Sequence, residues 1–150
     1  MPTERAPIEV LLRSEQSGGE ISVISSGSLP GFGGPPLHHH DFDETFYVIE
    51  GELTFQLGNE LFTKKAGELA FAPRGVPHAY ANLGDAPTRH LIVCTPAGFE
   101  RYFARMAAER RGEEPPEWAL QPIPESTVDG PSIGERDPEA RPGNRADRSS

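Results

Sequence analysis

From Ile8 to Cys94 the apolar residues fall in short runs rich in Val, Ile, Leu, Phe and Thr, broken by Gly, Pro and Asn. Runs this short, with turn formers between them, predict the antiparallel strands of a sandwich or barrel, and no helical period competes in this stretch. The expected strands are Ile8 to Arg13, Glu20 to Ser26, His38 to His40, Thr45 to Ile49, Glu52 to Leu57, Glu60 to Thr63, Leu69 to Ala72, His78 to Asn82 and Arg89 to Cys94. In Leu53-Thr54-Phe55-Gln56-Leu57 the alternation is clean, and Gly58-Asn59 before Glu60-Leu61-Phe62 predicts a two-residue hairpin with one solvated face. Phe46-Tyr47-Val48-Ile49 is apolar at both parities, so this strand is expected to be covered on both sides, by barrel interior on one and by another layer or a second subunit on the other.

After Thr95-Pro96, read as an N-cap and first-turn proline, the period changes. Phe99, Tyr102, Phe103, Met106 and Arg110 form one stripe of an amphipathic helix that ends near Gly112. At that spacing the stripe is expected to dock on the barrel and not to serve as a ligand face. Glu113 to Gln121 is acidic and Pro-rich, and Ile123 to Ile133 can add one extended segment. Gly134 to Ser150 carries almost no apolar residue and is expected to be a disordered tail.

The chain has 150 residues. That suits one domain, residues 1–133, with roughly 110 to 120 residues available for its core. A net charge of −9 and the lack of a basic stripe argue against nucleic-acid binding. The longest apolar runs, such as Leu91 to Cys94, are far too short to span a membrane, and the N-terminus has no signal-peptide pattern, so a cytoplasmic protein is expected. The single cysteine, Cys94, sits in an apolar strand and reads as a small buried hydrophobe.

Chemistry is concentrated in two windows, Pro35 to Glu44 and Gly67 to Asn82, which hold four of the five histidines. On an extended strand His38 and His40 share a face, about 6.6 to 6.8 Å apart along the chain, while His39 points away. Glu44, facing inward beside Phe46 and Val48, is costly to bury unless it meets a cation. The turn formers Pro73-Arg74-Gly75-Val76-Pro77 can swing His78 toward the same pocket. Three imidazoles and one carboxylate make a metal site with open coordination positions. His90, without a spacing partner, reads as a hydrogen-bonded core or surface histidine.

These residues resemble the cupin superfamily. His38-x-His40-x3-Glu44-x6-Gly51 looks like the first cupin motif, and Gly67-x5-Pro73-x-Gly75-x2-His78-x3-Asn82 matches the second at every defining position. The first motif departs once, with Phe32 where a glycine is expected six residues before His38. The resemblance implies an antiparallel β-barrel or jelly roll with the metal inside it, to which the stripe adds one C-terminal amphipathic helix, and His38, His40, Glu44 and His78 as ligands of one divalent ion among Fe, Mn, Ni, Co, Cu and Zn. Gly51, Gly67, Gly75 and Asn82 shape turns and carry no chemistry.

The run through Phe46-Tyr47-Val48-Ile49-Glu50-Gly51 is also similar to single-domain cupins compared with quercetin 2,3-dioxygenases. That implies a dioxygenase acting on a small aromatic or enolisable molecule, with Glu44 as the catalytic proton carrier, while the doubly apolar strand Phe46 to Ile49 predicts a homodimer. Strands carrying Phe46, Val48, Phe55, Phe71 and Tyr80 are expected to line an apolar cavity. A non-redox isomerase or cyclase and a non-catalytic small-molecule-binding protein are the other classes.

Overall fold

The computed structural model describes residues 7–136. Ten strands form two five-stranded sheets in which every pairing is antiparallel. One sheet runs in the order β1 (Glu9–Leu12), β2 (Ser22–Ser28), β9 (Thr88–Thr95), β4 (Asp43–Glu50) and β7 (Leu69–Ala72). The other runs β10 (Ser126–Ser132), β3 (Pro36–His40), β8 (His78–Ala81), β5 (Glu52–Leu57) and β6 (Glu60–Lys65). The all-β architecture expected from the short apolar runs is the one observed.

Alternation fixes which side chains face in. Every second residue of β9 is buried, from Thr88 through His90 and Ile92 to Cys94, and on β4 Glu44, Phe46 and Val48 are buried. Inward residues of both sheets meet in a cluster with Ile24, Phe46, Val48, Leu53, Phe55 and Ile92 at its centre. Each such side chain contributes about 1.5 to 3 kcal/mol on burial, and a one-residue slip of β4 would exchange Glu44, Phe46 and Val48 for Thr45, Tyr47 and Ile49. Packing of this core therefore sets the direction of the Glu44 carboxylate. The outer side of β4 is not covered by the described residues, because Tyr47 and Ile49 are 40% and 46% exposed.

The β5–β6 hairpin closes as its sequence predicts, with Leu57 opposite Glu60 and Gly58-Asn59 between them. The extended segment after the helix becomes β10 and pairs with the histidine strand β3. The helix, α2 (Glu100–Arg111), begins later than expected, with Phe99 as its N-cap. Thr95 remains in β9, opposite Asp43, so the Thr95-Pro96 pair closes a strand and does not open the helix. Its C-terminus falls at Gly112, which has φ +69. Two further one-turn helices, α1 (Ser14–Ser17) and α3 (Ile133–Arg136), complete the elements together with a 3₁₀ turn at Glu117–Leu120. Residues 137–150, most of the expected tail, lie outside the described residues.

Phe32, the departure from the first motif, stands between Gly31 and Gly34, both at φ +90, and a Cβ at Gly34 would collide with the Tyr80 carbonyl. Gly51 keeps its motif role: at φ +84 a Cβ would stand 2.6 Å from the Pro87 carbonyl. Asn82 is fully buried; its amide donates to the Ala86 carbonyl at 3.0 Å and its oxygen accepts from the Gly84 N–H at 3.1 Å, which shapes the loop into β9. Among the described residues no helix is long and apolar enough to cross a membrane.

Candidate metal centre

His38 and His40 come from β3, His78 from β8 and Glu44 from β4 in the opposite sheet, so the four meet inside the barrel. His38 and His78 are direct cross-strand partners, with ring centroids 4.5 Å apart. The Pro73 to Pro77 turn is fastened at two points. The Gly75 N–H donates to the His40 carbonyl at 2.8 Å, and the Arg74 N–H donates to the Asp43 carboxylate at 2.8 Å. This brings His78 back to the histidine strand as its sequence predicts. The potential ligand atoms of His38, His40, Glu44 and His78 all lie within 4.8 Å of one another, and the cluster is able to hold a metal ion.

All three rings are oriented in the same way. Nδ1 of His38 bonds the Pro36 carbonyl at 2.8 Å, that of His40 the Phe42 carbonyl at 3.1 Å, and that of His78 the Val76 carbonyl at 3.0 Å. A carbonyl only accepts, so each Nδ1 carries the proton and each Nε2 is left to present a lone pair to the centre. Phe42 stacks flat on His40 at 3.6 Å and holds the ring in its plane.

Glu44 Oε1 then lies 2.9 Å from His40 Nε2 and 3.0 Å from His78 Nε2. Lone pairs facing a carboxylate oxygen at these distances need a proton or a cation between them, and a divalent ion satisfies all four groups at once. The residues present fit the metal. Burial alone pushes the Glu44 carboxyl up, but hydrogen bonds and charge from His40 and His78 outweigh it and hold its pKa at about 2. Burial lowers His78 too, yet its bond to Glu44 leaves it raised overall, while burial keeps His38 lowered.

A cavity of about 650 Å³ opens onto this cluster, with His38, Glu44 and His78 on its wall. Phe46 and Tyr80 line it as expected from their strands. Val48 and Phe55 belong to the packed core, and Phe71 turns outward, 48% exposed. The helix stripe departs from the docking-only expectation. Phe103 joins the core and Phe99 and Met106 pack on it, but all five stripe residues, Phe99, Tyr102, Phe103, Met106 and Arg110, also line the cavity. A signal was present in the sequence, since a stripe that only docks has no use for a phenol and a guanidinium. Ile123, Pro124, Ser126 and Val128 of the C-terminal segment add wall that the motifs could not reveal.

The remaining histidines separate from the cluster. His39 faces away, its Nδ1 2.8 Å from Asp129 on β10. His90 is no part of the cluster, but neither is it hydrogen-bonded as expected. It is fully buried, both ring nitrogens lack a partner among the described residues, and burial lowers its pKa to about 4. Cys94 is buried as expected, and burial pushes its thiol pKa up.

Residues 28–94 match the Cupin domain family. A Klebsiella pneumoniae protein with a double-stranded β-helix domain superposes with a TM-score of 0.54 at 27% identity, covering 65% of this chain and 83% of that one. A predicted oxalate decarboxylase from Thermotoga maritima superposes with a TM-score of 0.56 at 25% identity, covering 59% of this chain and 78% of the other. Polyketide synthase CurC of Streptomyces cyaneus is 28% identical over 86 residues, 51% of this chain and 56% of the relative. The alignments span 33% to 56% of the length of the first curated relatives that the chain matches. A double-stranded β-barrel with a three-histidine, one-carboxylate cluster inside it defines the class. The chain belongs to the cupin superfamily.

Proposed function

We propose that this cupin binds one divalent transition metal through His38, His40, Glu44 and His78 and acts in the cytoplasm, as a homodimer, on a small aromatic, enolisable molecule, most directly as a dioxygenase. The observation that carries this reading is the opening of the cluster onto an aromatic-walled cavity of about 650 Å³. That size suits a drug-sized ligand, and Phe32, Phe46, Tyr80, Phe99 and Tyr102 offer ring faces to a planar one. A small polar dianion such as oxalate would leave most of that wall unused.

When bound, the metal supplies Lewis acidity and, if redox-active, activation of O2. The protein supplies the rest. Carbonyl-anchored imidazoles hold the donor set rigid, and the apolar wall excludes water from the reacting face. The substrate's enol proton is taken up by the Glu44 carboxylate, which stands on the cavity wall beside His38 and His78. Both atoms of O2 enter the product, so no further reductant is required.

Likeness to a relative named polyketide synthase favours, as a second reading, a non-redox cyclisation or isomerisation in the same cavity, for which zinc suffices. Reconstitution with Fe, Mn, Ni, Co, Cu or Zn, followed by oxygen-electrode assays with a flavonol, separates the two. Oxygen uptake stoichiometric with product is expected for a redox metal. Turnover that continues unchanged under nitrogen removes the dioxygenase, and tight binding without any product leaves a binding protein.

A further inference from the structure

Tyr80 follows His78 by two residues on β8, so both side chains leave the same face of the strand and enter the barrel about 6.6 to 6.8 Å apart along it. Its ring is fixed from several sides, with centroids 5.2 Å from Phe46, 5.8 Å from Phe32 and 5.4 Å from His90. It also lines the cavity. Yet no hydrogen bond of its hydroxyl is found among the described residues, and it shares the cavity wall with Glu44 of the cluster and with Tyr102 and Arg110 of α2. Tyr80 therefore belongs to the wall that the cluster and the helix share.

A phenol held in an apolar wall normally finds a partner, and a phenylalanine would make the same ring contacts without needing one. Whatever fills this cavity either satisfies that hydroxyl or strands it. A site with a fixed donor rejects a ligand that lacks the matching oxygen far more strongly than shape alone can.

We propose that Tyr80 is a positioning residue that donates to a second oxygen of the substrate, so that the ligand is a planar aromatic with two oxygen functions, one for the metal cluster and one for this phenol. The inference rests on the metal-dependent aromatic reading above and sharpens its substrate class. The ligand lies with its plane between Phe32, Phe46 and Tyr80 on the barrel side and Phe99 and Tyr102 on the helix side. Its two oxygens are held at a separation that fixes which ring carbon faces the cluster.

The test uses zinc-loaded protein, in which no oxygen chemistry interferes, titrated with quercetin and with 3-hydroxyflavone. Both carry the same metal-chelating enol and ketone, and only quercetin carries further ring hydroxyls. The wild-type protein is expected to bind quercetin at least tenfold more tightly. Tyr80→Phe is expected to lose that preference while its zinc content and melting temperature are unchanged. A preference kept in full by Tyr80→Phe, or absent from the wild type, overturns the role of Tyr80 and leaves the proposed function standing. Failure of the zinc-loaded wild type to bind either flavonol overturns both. Fluorine NMR of wild-type protein labelled with 3-fluorotyrosine gives a readout independent of the variant's folding. Of the three tyrosines, Tyr80 is expected to respond differently to the two flavonols, and identical responses overturn the inference.

Discussion

At the scale of single residues the centre depends on direction as much as on identity. Three consecutive histidines stand on β3, but the strand sends His38 and His40 into the barrel and His39 to Asp129. Alanine at His38, His40 or His78 is expected to weaken metal binding by at least about 100-fold, since even the loss of an outer-shell partner costs 10- to 100-fold. His39→Ala is expected to leave it unchanged. Elemental analysis of the four variants after identical reconstitution checks this, and equal metal loss in His39→Ala would mean that the strand alternates in the other register. This part of the site was legible because a two-residue period and a carboxylate with no other reason to be buried are properties of the chain itself. The unpaired state of His90 was not, because its surroundings come from β2, β4 and β8, and no local pattern records what they fail to offer.

At the scale of elements, the strands and the hairpin follow from their own alternation, while the start of α2 does not. Thr95-Pro96 has the composition of a helix start, but pairing of Thr95 with Asp43 and the Arg74 bond to the Thr95 carbonyl at 3.2 Å keep it in the sheet. What opens the helix is Glu100. Its fully buried carboxylate accepts the Ser14 N–H at 2.7 Å, the Ser14 hydroxyl at 2.8 Å and the Gly98 N–H at 2.6 Å, joining α2 to α1 across 86 positions of sequence. Burial opposes its charge, but these bonds leave the carboxyl pKa below its ordinary value of 4.5. A carboxyl lowered in the folded state adds stability that is complete above the ordinary value and is lost as the pH falls through the folded one. Glu100→Gln is therefore expected to cost about 1.5 to 3 kcal/mol near neutrality, with the difference from wild type narrowing below pH 4.5. Urea unfolding of both proteins between pH 7 and pH 3 measures it, and a gap of constant size across that range would refute the account. The same helix shows why its cavity-lining face escaped a reading of periodicity. One stripe serves both purposes, with Phe103 in the core and Tyr102 at the cavity, and spacing alone cannot divide them.

For the whole molecule, the two sides of the sheet that carries β4 and β7 have different destinations. Its inner side meets the second sheet and the metal cluster, whereas its outer side presents Tyr47, Ile49, Leu69 and Phe71, between 40% and 50% exposed, on the adjacent strands β4 and β7. The sequence predicts a cover over this side, and nothing among the described residues supplies one. Strand β7 is also an edge, with β4 as its neighbour in the sheet, and flat apolar edges of this kind invite pairing with another chain. A second copy packed here, burying roughly 800 Å² per partner, would cover the patch and leave the cavity clear, because none of these four residues lines it. Phe71→Lys places a charge at the centre of that contact and is expected to convert a dimer to a monomer in sedimentation velocity at micromolar concentration. Because residue 71 points away from the cluster, its metal content should stay at the wild-type level. A wild-type protein that sediments as a monomer across the same range, or a Phe71→Lys variant that stays dimeric, would show that this face is not where two copies meet.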